Sequence, residues 1–198
     1  SSFWGGTNND AIYSLSFNSL DEIFVCGGTK SSNFQTTSNA YESAYIGGSV
    51  DAFVSRFSQD GSSLLNSTFF GSVEYDQAYF IELDATDSVY IYGQTLAPAN
   101  TLIHNAAFAE PNSGQFVAKL SEDLSFLEFS TVFGSSSGAI DISPTAFLVD
   151  VCNRIYCSGW GGKTNDLANG GPGGHTADLT TTNGAFQETT DSSDFYLI

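Results

Sequence analysis

Apolar and polar residues alternate with a period of two over short spans of this chain, which is the pattern of half-buried β-strands. Tyr13, Leu15 and Phe17 alternate in this way, as do Ile23 and Val25. Phe53, Ser55 and Phe57 set one face inward and Phe116, Ala118 and Leu120 repeat it, with Arg56 and Lys119 at equivalent places on the opposite face. Turns are predicted at Ser19–Asp21, Asp60–Gly61, Thr86–Ser88 and Asn153, where Asp, Asn, Ser and Gly tolerate positive φ or bond their own backbone. Strands are therefore expected near residues 11–17, 22–27, 51–57 and 63–70; near 78–83, 88–93, 115–120 and 126–133; and near 145–150, 154–159 and 194–198. Helical signal is confined to His104–Glu110, enough for one turn.

The three groups of strands share one phrase. The first copy reads FWGG (Phe3–Gly6), DEIFVCGGT (Asp21–Thr29), NAY (Asn39–Tyr41) and DAFVSRF (Asp51–Phe57). The second reads FFGS (Phe69–Ser72), DSVYIYGQT (Asp87–Thr95), NAAF (Asn105–Phe108) and GQFVAKL (Gly114–Leu120). The third reads VFGS (Val132–Ser135), NRIYCSGWG (Asn153–Gly161), NGAF (Asn183–Phe186) and DFYLI (Asp194–Ile198). Repeats of roughly 65 residues built from four short strands point to an all-β chain of β-propeller blades, three in a row with the last incomplete. Their bounds are approximately 1–71, 72–134 and 135–198, all within one propeller domain. The connections Gly27–Val50, Gly93–Gly114 and Gly159–Asp194 are longer than a minimal blade needs. The third is expected to form a surface loop, with Gly170, Gly171, Gly173 and Gly174 around Pro172. Closed propellers use about four to eight blades, so the rest of the ring is expected in other parts of the same polypeptide or in other subunits.

Charge narrows the partners. The net charge is −17, and Lys30, Arg56, Lys119, Arg154 and Lys163 are the only cations. A phosphate-binding face needs clustered cations, which makes nucleic acid and an anionic membrane surface poor candidate partners, and no nucleic acid is expected. No apolar run approaches the ~20 residues that span a bilayer, so no membrane insertion is expected. The chain contains no Met and opens inside a repeat phrase, so it is expected to be a piece of a longer processed polypeptide. Cys26, Cys152 and Cys157 make no disulfide framework. A bridge between Cys152 and Cys157 across the turn at Asn153–Arg154 is conceivable, but the simpler expectation is small buried hydrophobes.

Candidate chemistry is sparse. Ser58-Gln59-Asp60-Gly61 approaches the Asp-box turn of sialidases but lacks its spacer and its Trp, and a sialidase carboxylate clamp wants three arginines where this chain has Arg56 and Arg154. His104 and His175 are the only histidines, no G-x-S-x-G elbow occurs, and Cys152, Cys157 and His175 lack zinc-site spacing. No enzymatic activity and no required cofactor are therefore expected. Asp and Asn at turns (Asn8, Asn9, Asp10; Glu74, Asp76; Asp84, Asp87) leave Ca²⁺ open, although no EF-hand pattern occurs and turn capping is the plainer role. The aromatics are the best argument for binding. Phe24, Tyr90 and Tyr156 occupy one repeat position and read as blade-to-blade packing. Trp160 stands where the other copies have Gly28 and Gln94, and is the candidate ligand-binding residue.

The segment FFG…DSVYIYGQT…NAAF…FVAKLSEDLSFLEFSTVFG resembles the bacterial SBBP repeat, named for a seven-bladed β-propeller. It is matched by Asp51–Phe57 with Leu64–Gly71, by Phe116–Leu120 with Phe129–Gly134, and by Gly184–Phe186; Trp4 and Gly114–Gln115 depart from the pattern. Asp141–Gly162 is further similar to large Bacteroidetes surface proteins that carry gliding-motility-associated C-terminal segments and leave the cell by type 9 secretion. The resemblance implies a non-catalytic, exported, extracellular or cell-surface adhesion or interaction scaffold. Its implied partners are other domains of the same polypeptide, secretion-system or surface proteins, or extracellular polysaccharide. A carbohydrate-binding propeller module is the alternative, and a glycoside-processing enzyme a weaker one.

Overall fold

A computed structural model describes residues 2–161 and 174–198. Three antiparallel sheets follow one another along the chain. Sheet 1 is a meander of β1 (Asp10–Phe17), β2 (Ile23–Thr29), β3 (Asp51–Phe57) and β4 (Leu64–Phe70). Sheet 2 repeats it with β5 (Asp76–Leu83), β6 (Val89–Thr95), β7 (Gln115–Leu120) and β8 (Leu127–Phe133). Sheet 3 holds β9 (Ser143–Val149), β10 (Ile155–Trp160) and β11 (Phe195–Leu197). The all-β expectation and the strand positions hold. The helical turn expected at His104–Glu110 is absent: His104 instead pairs backbone to backbone with Ser130, and the segment runs as an irregular strap along β8. A short run with one such partner gains more from pairing than from an isolated helical turn, whose nucleation is costly.

The hairpins explain the turn residues of the repeat. Between the first and second strands, Asn18, Asp84 and Asp150 each accept two backbone N–H bonds through one side-chain oxygen: from Leu20 and Glu22, from Thr86 and Ser88, and from Cys152 and Arg154. Three residues further on, Asp21, Asp87 and Asn153 all sit at φ near +60°, a conformation that Asp and Asn adopt more readily than other side chains.

The half-buried expectation fails for the second and third strands of sheets 1 and 2. Every residue of β6 is buried, and so are six of the seven in β2, because these strands are covered on both faces. The sheets stack back to front. Phe24, Cys26, Ala52, Val54 and Phe70 on the back of sheet 1 meet Ile81, Val89, Ile91, Phe116 and Ala118 on the front of sheet 2. Tyr90, Tyr92, Val117 and Phe133 on the back of sheet 2 meet Ile142, Phe147 and Cys157 on the front of sheet 3. Alternation persists, but β6 and β7 place apolar groups against both neighbouring sheets, as sandwiched strands do, whereas Val25, Phe53 and Phe69 on the front of sheet 1 are covered by Trp4, Phe34, Tyr45 and Ile46. Arg56 and Lys119 lie on the two back faces, over the rings of Phe24 and Tyr90. Arg56 reaches Glu22 of its own sheet and Glu122 of sheet 2, and Lys119 reaches Asp84 and Glu128 at 3.2 and 2.8 Å. Their repeat equivalence is therefore structural.

The glycine of the Y-I-Y-G-Q-T phrase also has a cause. A β-bulge in β1 and in β5 swings the first strand toward the second, so a methyl group at Gly27 or Gly93 would collide with the carbonyl oxygen of Ala11 or Gln77. We expect Gly93→Ala to lower stability by about 2–3 kcal/mol in urea titrations, because a backbone carbonyl cannot rotate aside as a side chain can. An unchanged unfolding midpoint would contradict this packing.

Candidate functional site

Aspartates at or just before the first strand of each sheet tie down the chain that enters it. Asp76 Oδ2 accepts the Ser72 N–H at 2.6 Å and the Ser72 hydroxyl at 2.8 Å, while Oδ1 accepts the Thr95 hydroxyl at 2.5 Å. The Thr95 oxygen in turn accepts the Ala97 N–H at 2.8 Å. Asp10 repeats this with the Gly6 N–H, the Ser31 hydroxyl and the Thr29 hydroxyl. Asp141 takes the Ser135 N–H and hydroxyl at 2.8 and 2.6 Å, but Gly161 stands where the other copies have threonine. Gly71 and Gly134 approach these carboxylates at φ of +152° and +146°, where a side chain is disfavoured. Of the carboxylates singled out for Ca²⁺, Asp10, Asp76 and Asp84 thus accept hydrogen bonds from the chain itself, and Asp87 accepts two from Ser19 of sheet 1. Among the described residues, no group of three or more His, Cys, Asp and Glu is arranged to hold a metal.

The other sequence candidates lie apart. Ser58–Gly61 forms the hairpin between β3 and β4; hydrogen bonds from Ser58 and Ser62 hold the Asp60 carboxyl down at about 2. The same turn recurs at Ser121–Ser125. Cys26, Cys152 and Cys157 are free thiols; burial pushes the Cys157 thiol up to about 12 and the Cys26 thiol higher still. Cys152 differs from the buried expectation and is exposed in its turn. His175 is exposed, and His104 borders a cleft of about 260 Å³ that it shares with Tyr41, Thr101 and Phe126 and that no carboxylate lines.

Trp160 ends β10 in register with Phe195 and Ser143, at the position equivalent to Gly28 and Gln94. Its indole N–H donates to the Ser193 carbonyl at 2.8 Å, which anchors the half-buried ring to the segment leading into β11. Most of the glycine-rich connection after it, including Gly170, Gly171, Pro172 and Gly173, lies outside the described residues. Trp160 shares the back of sheet 3 with Leu148, Tyr156, Phe195 and Leu197, which are 53, 40, 74 and 66% exposed. Tyr156 is therefore not packed as its counterparts Phe24 and Tyr90 are.

A second aromatic group was not singled out by sequence. Tyr13 and Tyr79 are the unpaired bulge residues of β1 and β5, and their rings meet at 5.0 Å between centroids with a 42° tilt. The Tyr79 hydroxyl lies 3.2 Å from that of Tyr75, which is 3.3 Å from Gln94 Oε1. Gln94 is buried and donates its amide N–H to the Ile142 carbonyl at 2.9 Å, so the group spans all three sheets. The signal available in sequence was the equal offset of Tyr13 and Tyr79 from Asp10 and Asp76; the bulges that bring the rings together are not visible there.

Asp51, at the start of β3, is fully buried. Its Oδ2 accepts the N–H groups of Ile46 and Gly47 at 2.7 and 3.3 Å, whereas Oδ1 has no partner. Burial pushes this carboxyl up to about 6, against the two backbone bonds and with the help of the Asp76 and Glu42 charges. Comparison of the chain with known proteins finds no matching family model and no matching curated protein.

The raised Asp51 value fixes a sign. A folded-state value above the unfolded one adds stability below about pH 4 that is lost as pH rises through about 6. Asp51→Asn should therefore remove on the order of 2 kcal/mol of the stability difference between pH 4 and pH 7.5 in chemical denaturation. An identical pH dependence in both proteins would contradict an ionisable group strained by burial.

Proposed function

We propose that the chain is a run of propeller blades within a non-catalytic, exported, cell-surface adhesion or interaction scaffold. The observation that carries this reading is the state of the two outer faces. Along β1, Ile12, Leu15 and Phe17 on the front of sheet 1 are 47, 56 and 57% exposed beside a part of that face covered by Trp4, Phe34 and Tyr45, whereas Ala78 and Ile81, at the places of Ile12 and Leu15 in sheet 2, are buried against sheet 1. Leu148, Tyr156, Phe195 and Leu197 on the back of sheet 3 are open in the same way, whereas Tyr90 and Tyr92 on the back of sheet 2 are buried. One outer face is a front and the other a back, so each suits the interface that already recurs twice. Their occupants are further sheets of the same repeat, which complete a ring. Exposed apolar faces of this kind are an association hazard unless covered.

The surface location rests on the resemblance of the repeat phrase to SBBP repeats and of Asp141–Gly162 to Bacteroidetes proteins exported by type 9 secretion. The chain's chemistry agrees with it: few cations, turn-rich repeats, and polar residues committed to holding the backbone. Its partners are then the remaining domains of its own polypeptide and surface or secretion-system proteins. An antibody against the chain should label intact, unpermeabilised cells of the source organism, and cells lacking the gene should lose that label together with attachment to surfaces. Labelling that requires permeabilisation would overturn the reading.

A further inference from the structure

We infer that Tyr13 and Tyr79, with Tyr75 and Gln94, form a platform for a neutral sugar ring of a polysaccharide. The inference deepens the surface-scaffold reading by giving it a ligand, and it is tested on purified protein, so it can fail while the cellular location stands.

The rings are not held in place as core residues are. Tyr13 is 50% exposed, Tyr75 and Tyr79 are half-buried, and none of the three belongs to the apolar clusters between the sheets. Tyr13 leans on Tyr79 of the next sheet, and Tyr79 stays half-exposed although sheet 1 lies against it. Tyr13 and Tyr79, from neighbouring sheets and both partly open to solvent, offer aromatic surface on which a sugar's C–H face can stack.

The hydroxyls add direction. Each tyrosine has one proton to donate. The Gln94 amide N–H bonds Ile142, which turns Oε1 toward Tyr75 and fixes it as the acceptor of the Tyr75 proton. The Tyr79 proton then goes to the Tyr75 oxygen, so the Tyr79 oxygen keeps its acceptor capacity. A ligand hydroxyl beside a C–H face completes this chain. Burial raises both Tyr75 and Tyr79 above the ordinary phenol range, so the hydroxyls stay protonated through neutral pH.

A cationic ligand fits less well. The carboxylate in the adjoining strand, Asp76, has both oxygens engaged by Ser72 and Thr95 and offers no free charge to a cation. An anionic ligand would meet a chain of net charge −17 with no cation stacked on these rings; the cation–ring contacts among the described residues are Arg56 with Phe24 and Lys119 with Tyr90.

The test is affinity electrophoresis in native gels cast with galactomannan, xyloglucan, hydroxyethylcellulose or laminarin. Retardation is expected in at least one, unchanged between pH 6 and pH 8. Tyr13→Ala should weaken it at least tenfold, and Tyr79→Phe, which keeps the ring and removes the acceptor, severalfold. Phe186→Ala, at a fully exposed aromatic elsewhere, should bind as the parent does. Unaltered thermal unfolding of Tyr79→Phe separates lost binding from lost fold. The inference is overturned by no retardation in all four gels, by wild-type binding in both tyrosine variants, or by equal loss in Phe186→Ala. Binding of a trimethyl-lysine peptide in place of every polysaccharide would also overturn it.

Discussion

Sheets 2 and 3 begin where an aspartate carboxylate gathers the chain leaving the previous sheet. Between sheets 1 and 2 the turn Gly71–Ser72 crosses from β4 to β5, and Asp76 ties that crossing to the far end of β6 through Thr95. Three donors converge on one buried carboxylate, and burial still raises Asp76 above the ordinary carboxyl range despite them. Hydrogen bonds to a charged group are worth more than neutral ones, and their loss in a buried place leaves several donors unsatisfied. The joint therefore sets the offset between sheets, and the offset decides which side chains meet. The bulges, the close approach at Gly27 and Gly93, and the contact between Tyr13 and Tyr79 all lie within a few residues of it.

Stacking follows from that offset. With the back of one sheet on the front of the next, the apolar groups on both sides of β6 and β7 and on the back of β2 and β3 are removed from water, while Trp4, Phe34 and Tyr45 cover the front of β2 and β3. Full burial of a side chain such as Phe116 contributes roughly 2–3 kcal/mol, and the interface between sheets 1 and 2 contains many such groups. The cost appears at the outer faces. Leu15 and Phe17 at one end and Phe195 and Leu197 at the other remain in water, although they lie on faces whose counterparts are covered. Arg56 and Lys119 show how the same interfaces take in charge, each cation paired with carboxylates and laid over a ring.

The strands, the turns and the order of the repeat were legible because they depend on local chemistry. Asp21, Asp87 and Asn153 announce their positive φ, and the three strand phrases align without gaps. Two-sided burial was not legible from alternation, since the polar-looking face of β6 carries Tyr90, Tyr92 and Gln94, whose burial depends on sheet 3 being present. His104–Glu110 read as helical because its partner, Ser130, is distant in sequence. Trp160 was conspicuous as an exception to the repeat, and its indole is anchored to Ser193. Tyr13 and Tyr79 were inconspicuous because they obey the repeat, and only the bulges turn them toward one another.

Back-to-front stacking is tested most directly by sedimentation velocity on the purified chain and two variants, Leu15→Asp on the open front and Leu197→Asp on the open back. A front and a back make a heterologous contact, so each variant spoils one half of it and retains the other. The wild-type chain should self-associate reversibly, each variant alone should sediment as a monomer, and an equimolar mixture of the two should form a dimer. A wild-type chain that stays monomeric at its highest soluble concentration, or variants that fail to complement on mixing, would contradict the pairing of the outer faces.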